Sequence, residues 1–198
     1  LEGWMWASEM NDKNIDDEWS LIQHHGGPHD PRAVRMLEEH WDSFVTEADL
    51  DRLQKFGVTH VRVPIGYWLV EYDPADGFVD GGERYLARLL GWLSVRGMQC
   101  VLDLHAMPGA QAKNQGFTGR KKQVPEFFSV RSNYERGQRI LMKLAQLILF
   151  YEASPATAGV VVGLELVNEP DWEFWDASPG IRTFYEMMVP RLRRVLPP

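Results

Sequence analysis

The chain has 198 residues, 44% hydrophobic and 25% charged, the make-up of an ordinary globular protein, and its length allows one large domain or two small ones. Its formal charge of −7, from 21 basic and 28 acidic residues with no basic stripe, argues against nucleic acid as a partner. No run approaches the roughly 20 apolar residues of a membrane span, and one cysteine, Cys100, excludes an internal disulfide and reads as a buried structural thiol in its apolar run.

Eight Trp and 12% aromatics are high, and such rings serve either as core filler or as stacking surfaces for flat sugar faces. Residues 1–10 carry two Trp and two Glu around Gly3, compatible with the last turn of a strand whose beginning is absent. Residues 11–30 are polar, with His24, His25 and His29 near Gly26-Gly27-Pro28. That spacing fits no standard zinc pattern and lacks partner cysteines, so a loop is expected and no metal site. Val34, Leu37, Trp41 and Phe44 recur at helical spacing over 31–44. Thr46 with Asp49 has the form of a capping box, opening a helix with Leu50, Leu53 and Phe56 on one face that Gly57 ends.

Residues 58–64 read as a strand with His60 and Arg62 on one face. A guanidinium there needs a partner, either a structural ion pair or a carboxylate in a site. An aromatic loop, Gly66-Tyr67-Trp68, follows, then a helix over 82–96 with Tyr85, Leu86, Leu89, Trp92 and Leu93 inward and Gly97 as its cap. Residues 98–105 form the next strand, ending in Asp103 and His105 on one face. The long segment 106–131, with Pro108, Gly109, Gly116, Phe117 and Gly119, has the length of a functional loop. A third helix spans 133–151 through Ile140, Leu144, Leu147, Ile148 and Tyr151. The apolar, β-branched run from Val160 then reads as a strand buried on both faces, stopped by Asn168-Glu169-Pro170 because proline cannot donate to a ladder. Glu169 is either a strand-end functional carboxylate or a helix-start carboxylate on a loop. Ser178-Pro179 is an N-cap and N1 pair for a last helix, which Pro190 should kink or end.

This order implies parallel strands joined by right-handed helical crossovers. Three successive strand ends are polar: Arg62, then Asp103 and His105, then Asn168 and Glu169. Converging polar groups at strand carboxyl ends mark a barrel-type active site. A doubly wound sheet could imitate the pattern, but no Gly-rich phosphate turn follows a strand, so nucleotide binding is unsupported and no cofactor is indicated.

The stretches HWDSFVTEADLDRLQKFGVTHVRVPIGYW, VLDLHAMPGAQ and VVGLELVNEP, in that order, resemble glycoside hydrolase family 5, above all its exo-β-1,3-glucanase branch. The likeness covers most of residues 1–170. It implies an α/β fold, the (β/α)8 TIM barrel, and hydrolysis of β-glycosides with retention. By resemblance Glu169 is the general acid/base, Asn168 binds the sugar's 2-hydroxyl, Arg62 orients the nucleophile carboxylate and His105 lines the same subsite. Phe117 matches, loosely, an aromatic that stacks on the neighbouring sugar. These residue types suit the reaction. A carboxylic acid protonates the leaving oxygen, a second carboxylate about 5 Å away attacks the anomeric carbon, and a positive fork keeps that second carboxylate ionised.

The sequence departs from the family in three ways. The usual Gly-Gly-Trp-Leu-x-x-Glu opening is Glu2-Gly3-Trp4-Met5-Trp6-Ala7-Ser8-Glu9, so either Glu9 is the substrate-binding acid with one residue inserted or Ser8 has replaced it. Ala106 stands where the family has Gly. A (β/α)8 barrel needs roughly 250 residues or more. Residues 1–198 are therefore expected to be the amino-terminal part of one catalytic barrel, about four βα units cut at both ends. The nucleophile glutamate is expected on a missing seventh strand. Such a chain should be inactive alone and expose an inward face of Val, Leu and Met. The implied partner is a β-glucan or β-glucoside, and the implied location is extracellular or at the cell wall. Other family 5 specificities (β-1,6-glucanase, β-glucosidase, glycolipid glucosidase) and a non-catalytic carbohydrate-binding remnant are the alternatives.

Overall fold

A computed structural model describes residues 15–196. In chain order it contains α1 (Glu18–His24), α2 (Pro31–Ser43), α3 (Glu47–Lys55), β1 (His60–Gly66), α4 (Tyr67–Val70), α5 (Glu83–Val95), β2 (Gln99–Ala106), α6 (Arg131–Glu152), β3 (Val161–Glu165) and α7 (Ile181–Arg193). The strands form a parallel sheet in the order β1-β2-β3. Helices α5 and α6 are the crossovers between successive strands.

Local chemistry sets these elements. The Thr46 hydroxyl accepts from the Asp49 N–H and the Asp49 carboxylate accepts from the Thr46 N–H at 3.0 Å, the reciprocal cap that starts α3. Gly57 and Gly97, at φ +80° and +62°, take the left-handed turns that end α3 and α5. Leu90 and Leu93 of α5 and Ile140, Leu141 and Leu144 of α6 are fully buried, as are Cys100, Leu102 and Leu104 on the helix-facing side of β2. Each large apolar side chain so buried contributes about 1.5–3 kcal/mol. From the other side of the core, α7 adds Phe184 and Met188.

The opposite face of the sheet is polar. Alternation puts His60, Arg62 and Pro64 of β1 there, with Asp103 and His105 of β2 and Glu165 of β3. The expected inward face of Val, Leu and Met is thus mostly overturned: Val101 lies on it beside Arg62, while Leu102, Leu104 and Leu164 face the helices.

Four other expectations change. The polar stretch read as a loop contains α1, capped by Asp17 and seated by buried Leu21 and Ile22. The aromatic segment after β1 is the helical turn α4. The last helix starts at Ile181 with Gly180 as N-cap, not at Ser178-Pro179, and runs through Pro190 to Arg193. Burial of Met188 and Leu192 on either side of Pro190 holds the helix past its missing donor. Finally, β3 is not buried on both faces. It ends at Glu165, Val162 is 49% exposed, and among the described residues no strand pairs with its outer edge. The described residues thus hold three strands. The strand expected within 1–10, and Glu9 with it, lies outside them.

Candidate active site

Arg62 is the hub of the polar face. Its Nε donates to Glu165 Oε2 at 2.7 Å and its Nη2 to Glu165 Oε1 at 3.0 Å. Nη2 also donates to Asn168 Oδ1 at 2.7 Å and lies 2.9 Å from Asp103 Oδ2. The hydrogen bond to Glu165, with the charges of Asp103, Glu165 and Glu169, holds the guanidinium even more firmly protonated than usual. Glu165 was not singled out in the sequence, although a carboxylate inside an apolar strand run is the partner that a strand guanidinium calls for.

Asp103 is fully buried, and its Oδ2 also accepts from His105 Nδ1 at 2.5 Å. That contact fixes the imidazole: Nδ1–H points at the carboxylate and Nε2 is left toward the polar face. The ring edge of Phe117 meets His105 at 5.5 Å between centroids. Phe117 sits on a turn, Gly116–Thr118, tied down from α1: Trp19 N–H donates to Gly119 O at 2.9 Å, and Lys121 N–H to Asp17 Oδ2 at 2.6 Å. Asp17 therefore caps α1 with one oxygen and anchors the Phe117 loop with the other. Neither role was legible in the polar stretch that contains it.

Asn168 is 2% exposed. Because its Oδ1 accepts from Arg62, its amide NH2 is the group free to donate into the cleft. Its backbone is held from both sides: its N–H donates to Leu104 O at 3.3 Å, and its carbonyl accepts from Gln111 Nε2 at 2.9 Å. Gln111 is wholly buried, with Nε2 also donating to His105 O at 2.7 Å and Oε1 accepting from Met107 N–H at 3.1 Å. It staples the ends of β2 and β3, and it too was missed as a site-building residue.

Glu169 is exposed and follows directly, at φ +38°, ahead of Pro170. A side-chain-bearing residue in that region, preceding proline, carries strain of about 1–3 kcal/mol. The neighbouring hydrogen bond from Asp171 N–H to Gln111 O, 3.1 Å, keeps it there. The arrangement presents one exposed carboxylate directly after an oriented amide, with an oriented imidazole near the end of β2 and a guanidinium that reaches them from the third residue of β1. The structure thus joins Arg62, Asp103, His105 and Asn168 by direct contacts, reaches Phe117 through His105, and sets Glu169 next in the chain.

A cavity of about 180 Å³ borders this region, lined by Trp41, Trp68, Tyr85, Trp92, His105 and the α1 carboxyl of Glu18. Glu18 is 1% exposed, one of its oxygens has no partner, and burial, partly offset by a hydrogen bond from Trp68, pushes its carboxyl up to about 7. A Cβ at Gly66 or Gly119 would stand 2.4 Å from the Trp68 ring, so both positions need glycine for the indole to fit. Burial likewise raises the Cys100 thiol to about 12, an inert group.

No model of a known protein family matches the chain. Among curated proteins it is 30% identical over 201 residues to a probable glucan 1,3-β-glucosidase A from Neosartorya fischeri, covering 100% of this chain and 45% of that protein. It is 34% identical over 164 residues to a glucan endo-1,6-β-glucosidase B from Emericella nidulans, covering 81% of this chain and 39% of that protein. The chain therefore spans less than half the length of these relatives. Among solved structures it is similar to AoRut, with a TM-score of 0.77 at 19% identity over 100% of this chain and 55% of that one. It is also similar to rutinosidase from Aspergillus niger, with a TM-score of 0.71 at 18% identity over 98% of this chain and 52% of that one. The likeness gives the fold: the parallel sheet and its helices are part of a (β/α)8 barrel.

Proposed function

We propose that the protein carrying this chain is a retaining β-glucan glycosidase of glycoside hydrolase family 5, with Glu169 as its general acid/base. The observation that carries the reading is the joined set Arg62–Asn168–Asp103–His105 on the polar face of the sheet, with the exposed Glu169 carboxyl following Asn168 in the chain. The glucosidase relatives support it over their shared length. In this reading Asn168 donates its amide to the sugar's 2-hydroxyl and His105 offers Nε2 to the same sugar. Phe117 borders the neighbouring one.

Retention requires a second carboxylate about 5–5.5 Å from the first. Glu165 has both oxygens on Arg62, and Asp103 is buried against Arg62 and His105, so neither suits attack on an anomeric carbon. The nucleophile is assigned to polypeptide beyond these residues, and the chain alone should be inactive. A second linkage, β-1,6, is favoured by the 34% identical relative from Emericella nidulans. Action outside the cell or at the wall goes with either polymer.

The test is proton NMR of the complete protein acting on laminarin and on a β-1,6-glucan. Release of glucose or oligosaccharide first as the β-anomer supports the reading. Release of the α-anomer, or none from either polymer, overturns it.

A further inference from the structure

Trp172 is 72% exposed, three residues after Glu169. A ring left in water at this extent forfeits most of the burial free energy that an indole usually gains. Among the described residues the other Phe or Trp rings exposed by more than half, Phe56 and Phe150, sit at the ends of α3 and α6, the side of the sheet where β1 and β3 begin. Trp172 stands on the opposite side, where the strands end and the candidate site lies.

The indole is presented rigidly. It opens a short turn, Trp172–Phe174, whose N-cap is Asp171. Asp171 N–H donates to Gln111 O at 3.1 Å, and its Oδ2 accepts from Lys113 N–H at 2.6 Å. The far end of the turn is pinned by Phe174, stacked on the buried Phe128 at 5.6 Å and 27°. Trp172 leans on Trp175 at 4.7 Å. Trp175 is backed in turn by the Arg182 guanidinium at 5.6 Å, itself ion-paired with Asp176 at 2.8 Å. Contacts to the loop after β2 and to the buried Phe128 thus hold the Trp172 turn in place with its ring open to solvent, three residues along the chain from Glu169.

We infer that Trp172 is a stacking platform for a pyranose ring of the substrate's leaving group. A flat indole face meets the apolar C–H face of a sugar without needing a fixed hydrogen-bond pattern. The group that protonates the leaving oxygen lies next to the leaving group, so the ring that follows Glu169 serves that side. The inference rests on the proposed glycosidase reading.

The experiment uses the complete protein and its Trp172→Ala and Trp172→Phe variants. Each is assayed on a glucotriose, laminaritriose or gentiotriose as the wild type requires, and on β-glucosyl fluoride, whose leaving group is a single atom. Trp172→Ala should lower kcat/KM on the trisaccharide about tenfold, mainly through KM. Its loss on the fluoride should be about fivefold smaller or less still, and Trp172→Phe should recover most of the trisaccharide rate. Equal losses on both substrates, or no loss on the trisaccharide, overturn the inference and leave the glycosidase reading standing. A wild-type protein that turns over neither substrate overturns that reading, and this inference with it.

Discussion

Arg62 of β1 and Glu165 of β3 form a two-bonded ion pair across the full width of β2, at 2.7 and 3.0 Å. Two inter-strand spacings amount to roughly 9.6 Å, so two long side chains must reach toward each other over Asp103. The pair ties the outer strands of the sheet together and leaves the second Nη2 hydrogen between Asn168 Oδ1 and Asp103 Oδ2.

Arg62→Met should therefore destabilise the protein by about 2–4 kcal/mol. The loss comes mostly from Asp103, fully buried and left with His105 alone. The guanidinium is 45% exposed, which keeps the figure below that for a fully buried pair. Arg62→Lys should recover only part, since one ammonium cannot serve three acceptors in a fork. Denaturant midpoints measure both; a loss under about 0.5 kcal/mol for Arg62→Met would contradict the hub role.

Gln111→Leu tests the staple. The variant leaves the Met107 N–H and the carbonyls of His105 and Asn168 without their partner. Buried groups so orphaned cost about 1–3 kcal/mol each at most, and a total near 3 kcal/mol is expected. Activity of the folded variant should also fall, because Asn168 loses one of its two backbone ties. Unchanged stability with full activity would show that the β2 and β3 ends hold their register without it.

Glu18 gives a pH signature with a definite sign. Its folded pKa of about 7 lies above the ordinary 4.5, so the folded state binds the proton more tightly than the unfolded chain. Its contribution is fully present below pH 4.5 and declines as pH rises toward 7. At 1.36 kcal/mol per unit the whole decline is roughly 3 kcal/mol. Glu18→Gln should flatten thermal midpoints across this window and exceed the wild type above it. A wild-type midpoint that rises through the same window while the variant's does not would contradict the assignment.

How far the sequence carried this account depended on local signals. The apolar spacing in α2, α5 and α6, the Thr46–Asp49 cap and the glycine stops produced those helices within a few residues, because their information is contained in one turn or one face. Arg62, Asp103, His105 and Asn168 were legible as oddities, polar groups closing apolar runs. Glu165 was not, since it sits inside such a run and its meaning depends on a residue 103 positions away. Gln111 looked like one more loop polar residue, because its meaning depends on the bond to Asn168, 57 positions away, while its other two side-chain bonds are local. α1 escaped because its cap pairs Asp17 with Ser20 in a polar stretch, and only Leu21 and Ile22 of its apolar side chains are buried.

The central claim is that Glu169 is the proton donor, and Glu169→Gln in the complete protein tests it most directly. Glycosylation rates are compared on an unactivated glucan and on a dinitrophenyl β-glucoside, whose leaving group departs with little protonation. The account predicts a loss of about 100-fold or more on the glucan and a far smaller one on the aryl glycoside. Equal losses on the two substrates, or a variant as active as the wild type on the glucan, would contradict it.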